Sequence, residues 1–452
     1  MPYHCVPGCS ECAGSGARAA MGKRGTEGQE NEMAESVQAR RVGRAGRAAA
    51  AELEFDVAAF VPGSIEVEPL GLGALAGVSV ALKDVYAVAG HVSSFGHPRW
   101  RATHEPANAD SSVVSALRRA GAHIVGITKM DQLSYSLVGD AGEGDPPQNA
   151  FDPDAFCGGS SSGSAAAVAA GIADLGVCTD TVGSARVPAA ACGLFGARTT
   201  QGMIDKRGLL QAAPSFDVPG FLAQTAGTLR VALEGLGIAC TAPDLGRFER
   251  VLVPADLPHE VEAHICLAVS ALAERLAETT GARRIPARCA PFISSEAADL
   301  CARIQGREVW AEHGAWIKAN IDALTPEVQW RLGRCEQLAL DGPEVLSADA
   351  TARAAYVDDF AALTGGDLLV LPVVPAHGPL RTWDSDQLRS WRRVTCQLTG
   401  PSSLAGRPEV AVPTELGGHY ASLGIVGPPG ADAELAWLAD KLAGGDHVVR
   451  LD

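Results

Sequence analysis

Short apolar runs alternate with polar or glycine-rich segments from about residue 70 onward. The runs Val78–Val88 and Ala122–Thr128 each have the composition of a buried β-strand. Between them, the polar triplet Asp110–Ser112 can cap a helix that extends to about Ala120. This strand–helix–strand order predicts a sheet that contains parallel strands.

The rest of the chain adds helices and a second group of strands. Prolines between Gly139 and Gly159 predict a loop, and Ala165–Ala173 has the composition of a helix with Ser160–Ser164 at its start. Helical spacing of apolar residues predicts further helices over Glu260–Thr279, Ser294–Ala323, Ala352–Leu363 and Ala433–Leu442. Buried strands are predicted over Asp367–Val374, Val410–Pro413 and Ser422–Val426. The order indicates one large α/β domain with a helical insertion.

Composition and charge narrow the class of protein. Of the 452 residues, 47% are hydrophobic and only 5% aromatic, which favours close helix–sheet packing over a β-sandwich. The net charge of −16 repels phosphate backbones, so we expect no nucleic-acid partner. No apolar run reaches the ~18 residues of a membrane span, so we expect no membrane partner. No secretory signal is apparent and the 12 cysteines are scattered, so a cytoplasmic location is expected.

The first 50 residues lack sustained periodicity and are predicted to be a disordered tail. Met21 and Met33 are alternative starts within it. Cys5, Cys9 and Cys12 have a spacing that can ligate an iron–sulfur cluster, but such a cluster needs a folded, dry surround. We therefore expect no metal or organic cofactor.

Two Ser/Gly clusters between Cys157 and Thr200 carry the candidate chemistry. Ser184 ends the run D-T-V-G-S, in which the backbone N–H groups of Thr181, Val182, Gly183 and Ser184 could converge on a carbonyl oxygen while the serine attacks its carbon. Ser160, 24 positions earlier, could pass a proton between Ser184 and a base. A structural turn at Ser184 and a helix cap at Ser160 are the alternatives.

Lys83 is the candidate base, because apolar sequence surrounds it and burial favours the neutral amine. A solvated lysine at a strand end is the alternative. Asp180 and Arg186 bracket the Ser184 loop and are expected to fix it through hydrogen bonds or an ion pair. The segment Gly159–Gly163 also fits G-x-S-x-G, which would make Ser161 the nucleophile of an α/β-hydrolase. The histidines lack metal-ligand spacing, which argues against a zinc hydrolase.

Taken together, these motifs resemble the amidase signature family. The residues that carry the resemblance are the glycine/serine stretch Gly158–Ser164, the run Asp180–Ser184, and Arg186, Pro188, Ala189, Cys192 and Gly193 after it. Four flanking segments also match, namely the Lys83 strand, Gly126–Tyr135, Leu368–Pro375 and Gln397–Leu404. Phe95–Trp100 and the Asp180 segment resemble a subgroup that contains indole-3-acetamide hydrolases and an amidase-like domain of a chloroplast import receptor.

The resemblance implies a single large amidase domain over residues 51–452, with a mixed central sheet covered by helices on both faces. It divides that domain into a signature core (70–200), a variable helical region (201–363) and a C-terminal segment (364–452). It also implies a Ser–cisSer–Lys triad, with Ser184 as nucleophile, Ser160 as bridging serine after a cis peptide bond, and Lys83 as base. The expected reaction is hydrolysis of a small-molecule carboxamide through a seryl acyl-enzyme.

This chain departs from the family pattern at three places. Val182 stands where glycine is usual, Ser162 is a tolerated variant, and Ala197–Thr199 replaces the usual L-K-P. The import receptor has glycine at the nucleophile position, whereas Ser184 is present here, which argues for catalysis. A non-catalytic binding module and an amidotransferase A-type subunit that supplies ammonia remain alternatives. The sequence leaves open a homodimer and the choice among aryl-acetamides, aliphatic amides and ureido acids.

Overall fold

One mixed β-sheet forms the centre of the part of the chain that the structure describes. The structure is a computed structural model that describes residues 57–238 and 243–451. The predicted disordered tail (1–50) and the cysteine triplet within it lie outside these residues. The strands are β1 Ser79–Lys83, β2 His123–Thr128, β3 Leu175–Asp180, β4 Phe195–Arg198, β5 Val218–Ala223, β6 Arg250–Pro254, β7 Arg283–Ala287, β8 Leu368–Pro372, β9 Glu409–Leu416, β10 His419–Val426 and β11 Val449–Arg450.

The strands are ordered β2-β1-β3-β5-β4-β9-β10-β8-β6-β7 across the sheet, with β11 paired to β9. Pairs at the two ends of this order are parallel, as in β1 with β2 and β6 with β7. The central pairs are antiparallel, as in β3 with β5 and β4 with β9. The predicted mixed α/β sheet is therefore confirmed, and the strands predicted to be parallel, β1 and β2, are parallel.

Eleven α-helices accompany this sheet within the described residues. They are α1 Pro98–Thr103, α2 Ser112–Arg119, α3 Ser162–Ala169, α4 Arg186–Ala191, α5 Ala226–Gly235, α6 Ala263–Thr280, α7 Ser295–Asn320, α8 Pro326–Leu338, α9 Pro343–Thr364, α10 Ser385–Leu404 and α11 Asp432–Ala443. Strand alternation divides the core between the two faces of the sheet. Val80 and Leu82 join an apolar cluster with α5, α6 and α11, whereas Ala81 joins a cluster with α3 and α4.

The first predicted strand is longer than the strand that the structure contains, for a local reason. The predicted strand Val78–Val88 ends at Lys83, because Asp84 turns the chain and accepts hydrogen bonds from Ser94. Residues 84–88 therefore leave the sheet, and Lys83 is the last residue of β1. None of the described helices is both long enough and apolar enough to cross a membrane.

Candidate active site

Lys83, Ser160 and Ser184 are brought together where two strands of the sheet end. Lys83 is the last residue of β1, and Ser184 lies in the loop that joins β3 to α4. Ser160 lies just before α3, and the peptide bond between Gly159 and Ser160 is cis. Parallel β1 and β3 are neighbours, so their carboxyl ends lie at one edge of the sheet and deliver both residues to one place.

Lys83 has a short contact with the first serine cluster. Its Nζ is 2.8 Å from Ser160 Oγ and 2.8 Å from Thr179 Oγ1. The side chain is fully buried, and this burial lowers the pKa of Lys83 to about 8. The buried thiol of Cys178 and the carboxyl groups of Asp217, Asp131 and Asp180 act in the opposite direction and limit the fall. The amine can therefore be neutral in mildly alkaline solution while it remains next to Ser160.

Ser184 is buried next to the same cluster, although its hydroxyl forms no hydrogen bond with a described residue. Ser161 Oγ donates to the Ser184 carbonyl at 2.5 Å, so the main chains of the two serine segments are in contact. The structure thus joins Lys83 directly to Ser160, and it joins Ser160 to Ser184 through the neighbouring Ser161.

Asp180 and Arg186 form the expected ion pair, and both are fully buried. Arg186 Nε and Nη2 donate to the two Asp180 oxygens at 3.0 and 2.8 Å. The Asp180 carboxylate also accepts the backbone N–H groups of Gly183, Ala185 and Arg186. Although burial alone would raise the pKa of Asp180, these guanidinium and amide contacts hold it far below its usual value. Asp180 therefore fixes the shape of the Ser184 loop as an ionised group.

The backbone amides predicted to hold an oxyanion differ in their surroundings. The Gly183 N–H donates to Asp180 Oδ1 at 2.9 Å, and its φ of +111° is one that favours glycine. Val182 is not among the described non-glycine residues with positive φ, so the valine here adopts an ordinary backbone conformation. Its carbonyl accepts a hydrogen bond from Thr399 Oγ1 at 3.0 Å. The departure from the usual glycine at this position is thus accommodated without an unusual φ.

Residues distant in sequence complete the surroundings of this loop, and sequence reasoning missed them. Arg198 Nη1 donates to the Asp180 carbonyl at 2.8 Å, so the replacement of the usual L-K-P adds a second guanidinium. Glu409 in β9 accepts from Arg186 Nη1 at 2.6 Å. A glutamate in the apolar segment E-V-A-V-P was the available signal, because a buried carboxylate requires a partner. Thr179 offered no signal beyond its place before Asp180.

The alternative nucleophile, Ser161, has a different role in this geometry. Its hydroxyl donates to the Ser184 carbonyl, and the segment before it, 151–157, forms no strand in the described structure. A nucleophile elbow requires a strand that leads into the serine. The G-x-S-x-G interpretation is therefore wrong.

Comparison with known proteins agrees with this geometry. A family model described as Amidase matches residues 61–240. "Amidase 1" of Arabidopsis thaliana is 31% identical over 400 residues, which cover 82% of this chain and 93% of that protein. This chain belongs to the amidase family. The predicted family and the predicted class of enzyme, an amidase, are confirmed at this level.

One further relative in sequence and one solved structure are also similar to this amidase-family chain. The chloroplastic outer envelope protein 64 of Arabidopsis thaliana is 30% identical over 387 residues, which cover 79% of this chain and 64% of that protein. A solved structure described as a crystal structure of amidase superposes with a TM-score of 0.71 and is 27% identical. The superposition covers 82% of this chain and 85% of that one. The amidase-signature fold predicted from the motifs is therefore confirmed.

Proposed function

We propose that this chain hydrolyses a carboxamide C–N bond to a carboxylate and ammonia or an amine, through a seryl acyl-enzyme. Ser184 is the proposed nucleophile, Ser160 the proton carrier and Lys83 the base. The observation that carries the proposal is the 2.8 Å separation of Lys83 Nζ and Ser160 Oγ in a fully buried place where the amine has a lowered pKa. A neutral amine at this distance can accept the Ser160 proton while it donates to Thr179.

The proposed reaction has two halves. Ser160 gives its proton to Lys83 and takes the proton of Ser184, whose oxygen attacks the carboxamide carbon. The tetrahedral intermediate collapses, the C–N bond breaks, and the nitrogen leaves with a proton returned along the same relay. Water then attacks the Ser184 ester by the same proton path, and the carboxylate leaves. Apart from the substrate and the water, the chain supplies every group in this reaction.

Backbone N–H groups of residues 181–184 are proposed to hold the oxyanion. The amides of Thr181, Val182 and Ser184 are the first candidates, because the Gly183 amide already donates to Asp180. We propose that Asp180 and Arg186 contribute by positioning this loop and do not contact the substrate. Their complete burial and mutual hydrogen bonds support that role.

The test is a comparison of the chain with its Ser184→Ala variant over a panel of primary amides, with ammonia release as the measurement. We expect turnover in the unchanged chain alone, without a partner polypeptide, and a loss of at least about 10⁴-fold in the variant. A fluorophosphonate should label only the unchanged chain. Equal turnover by a correctly folded Ser184→Ala variant, checked by circular dichroism, would contradict the proposal.

We also propose a cytoplasmic location for this enzyme, which cell fractionation with an antibody to the chain would test. Recovery in an organelle-envelope fraction would overturn that proposal without affecting the proposed chemistry.

A further inference from the structure

Asp217 is a buried carboxylate that faces the Ser184 loop from a neighbouring strand. It directly precedes β5, and the antiparallel register of β3 and β5 pairs Asp180 with Val218. The next residues beyond that pair, Thr181 and Asp217, therefore lie opposite each other past the ends of the two strands. Thr181 Oγ1 donates to Asp217 Oδ1 at 2.6 Å, and both residues are almost fully buried.

Thr181 is held on two sides although it belongs to a loop. Asp217 accepts from its hydroxyl, and its carbonyl accepts from Arg198 Nη1 at 3.2 Å. Arg198 Nη2 also donates to the carbonyl of Phe216 at 3.1 Å, so one guanidinium bridges the two strand ends. A backbone amide stabilises a developing charge best when its position is fixed before the reaction. These contacts restrain Thr181, whose amide is among the proposed oxyanion donors.

The contacts of Asp217 are those of an ionised carboxylate. Besides the Thr181 hydroxyl, the backbone N–H groups of Ala212 and Ala213 donate to Asp217 Oδ2 at 2.7 and 2.9 Å. Burial raises the pKa of Asp217, whereas these three donors stabilise its charged form and limit the rise. Lys206 Nζ donates to the main-chain carbonyl of Asp217 at 3.2 Å, and the carboxylate forms no ion pair with a described residue. A negative charge is therefore buried here without a cation in direct contact.

Four groups near Lys83 oppose the effect that burial has on its pKa. In decreasing order of effect they are Cys178, Asp217, Asp131 and Asp180. The first of them carries no charge at neutral pH, because burial raises the pKa of the Cys178 thiol to about 12. Tyr86, which donates to the Cys178 carbonyl, is neutral as well, since burial raises the pKa of its phenol. The negative charge near Lys83 therefore comes from the three carboxyl groups.

These three carboxyl groups differ in how much unpaired charge they bring to Lys83. Asp180 is paired with two buried arginines, which neutralise it. Burial raises the pKa of Asp131 to about 7, so this group is only partly ionised at neutral pH. Asp217 is ionised, and no described cation is bound to its carboxylate. It is therefore the main counter-charge of Lys83 when the amine is protonated.

We propose that Asp217 is a positioning residue of the candidate active site, which holds Thr181 in the Ser184 loop and provides the counter-charge of Lys83. This inference rests on the proposed function and adds a residue that the sequence motifs did not reveal. When Lys83 accepts the Ser160 proton, a positive charge forms in a buried place. A carboxylate that is already fixed nearby stabilises that charge without reorganisation.

Asp217→Asn tests both roles, because it keeps the shape of the side chain and removes its charge. We expect kcat on the best amide of the ammonia-release screen to fall about 10- to 100-fold, with KM within about threefold. The midpoint of the pH–rate profile should move down from about pH 8 to about pH 7, because an ammonium without its counter-charge loses its proton more readily. Thr181→Val should lower kcat about tenfold and leave the midpoint in place, since it removes only the hydroxyl.

Asp432→Asn is the matched control. Asp432, the first residue of α11, is also a buried carboxylate that accepts a threonine hydroxyl and a backbone N–H, both from Thr200, at 2.5 and 2.8 Å. It is not among the groups that act on the pKa of Lys83. We expect kcat within about threefold of the unchanged chain and the same midpoint. Circular dichroism checks that each variant is folded.

Two results would overturn the role of Asp217. A midpoint that stays near pH 8 in folded Asp217→Asn would leave the carboxylate a purely structural role in the turn at 212–217. A loss in Asp432→Asn equal to that in Asp217→Asn would show a general effect of removing a buried charge. If Asp217→Asn does not fold, Thr181→Val decides, because an unchanged kcat in that variant refutes the proposal and a tenfold loss supports it.

Fluorophosphonate labelling separates these results from a failure of the proposed function. If the unchanged chain is labelled but hydrolyses none of the amides, the pH profile of its labelling rate takes the place of kcat in the same comparison. If the unchanged chain is neither labelled nor active, the proposed function is refuted and the role of Asp217 with it. If it is labelled and the midpoint does not move in Asp217→Asn, only the role of Asp217 is refuted.

Discussion

Lys83 Nζ and Ser160 Oγ are 2.8 Å apart, and neither residue is exposed to solvent. This contact joins the end of a central strand to the glycine/serine loop that precedes α3. An amine in that position can exchange a proton with a hydroxyl without competition from bulk water. Its pKa of about 8 allows the neutral form to be populated near physiological pH.

The pH dependence of activity should report this amine. The base must be neutral, so the rate should rise as the pH increases through the pKa of Lys83. We expect kcat/KM to rise about tenfold per pH unit below pH 7 and to level off above pH 9, with an apparent pKa of about 8. Initial rates of ammonia release between pH 5.5 and 10 provide the measurement. A rate that falls over that range would exclude a neutral-amine base.

Lys83→Met should remove activity and stabilise the fold. The pKa of about 8 in the folded chain lies below the usual value of 10.5, so the unfolded chain binds more protons between these values and stability rises with pH there. Below pH 8 the full cost of burying the ammonium is present, roughly 3 kcal/mol. We expect a higher free energy of unfolding for the variant at pH 7.

The gain from Lys83→Met should shrink as the pH rises toward 10.5, because the cost of the buried charge disappears there. Urea denaturation at pH 7 and pH 10 gives both values. A gain that is the same at the two pH values would show that folding does not lower the pKa of Lys83.

Ser160→Ala and Ser161→Ala should differ sharply although the two serines are adjacent. Ser160 contacts Lys83, so its loss interrupts the proposed proton path and should reduce kcat by at least about 10³-fold. Ser161 donates to the Ser184 carbonyl, so its loss removes one hydrogen bond and should cost about tenfold or less. Single-substrate kinetics on one amide measure both. The reverse order would restore Ser161 as the nucleophile.

Arg186→Met should destabilise the fold far more than the same substitution of a surface arginine does. It leaves Asp180 and Glu409 buried without their shared cation, and such a loss costs about 3–5 kcal/mol. The matched control is Arg230→Met, because Arg230 pairs with Glu234 on one half-exposed helix face, where a pair contributes about 0–1 kcal/mol. Urea denaturation compares the two variants. Similar losses in both would contradict a central role for the Arg186 ion pairs.

Elements with one consistent pattern could be predicted from sequence. Ala122–Thr128 became β2 with only the first residue changed, because its apolar run is short and a turn precedes it. The strand Val218–Ala223 was missed because V-P-G-F-L-A contains both proline and glycine, which usually interrupt strands. Helix α10 was missed for a similar reason, since Gly400 and Pro401 lie near its end. Tertiary packing of fully buried residues overrides these local preferences.

The residues of the candidate site also fall into two groups, those that the sequence predicts and those that it does not. Lys83, Ser160 and Ser184 could be found because each stands in a dense local motif. The partners of Arg198, Glu409 and Thr399 could not be predicted, even where a lone glutamate in an apolar segment signals burial, because these pairings join residues 18 to 223 positions apart. No local pattern encodes such separations. The departures from the family pattern at Val182 and at Arg198 can be explained only by their hydrogen bonds with Thr399 and Asp180, which the sequence does not predict.

Strand β9 occupies the middle of the sheet between β4 and β10, although it begins at residue 409. Glu409 at its start accepts a hydrogen bond from Arg186, and Thr399 before it donates to the Val182 carbonyl in the Ser184 loop. A growing polypeptide on the ribosome therefore carries all three candidate residues long before it can shape them into a working centre. Fragments that stop before β9 should be inert, so that synthesis itself delays the onset of hydrolysis until nearly the whole chain has emerged.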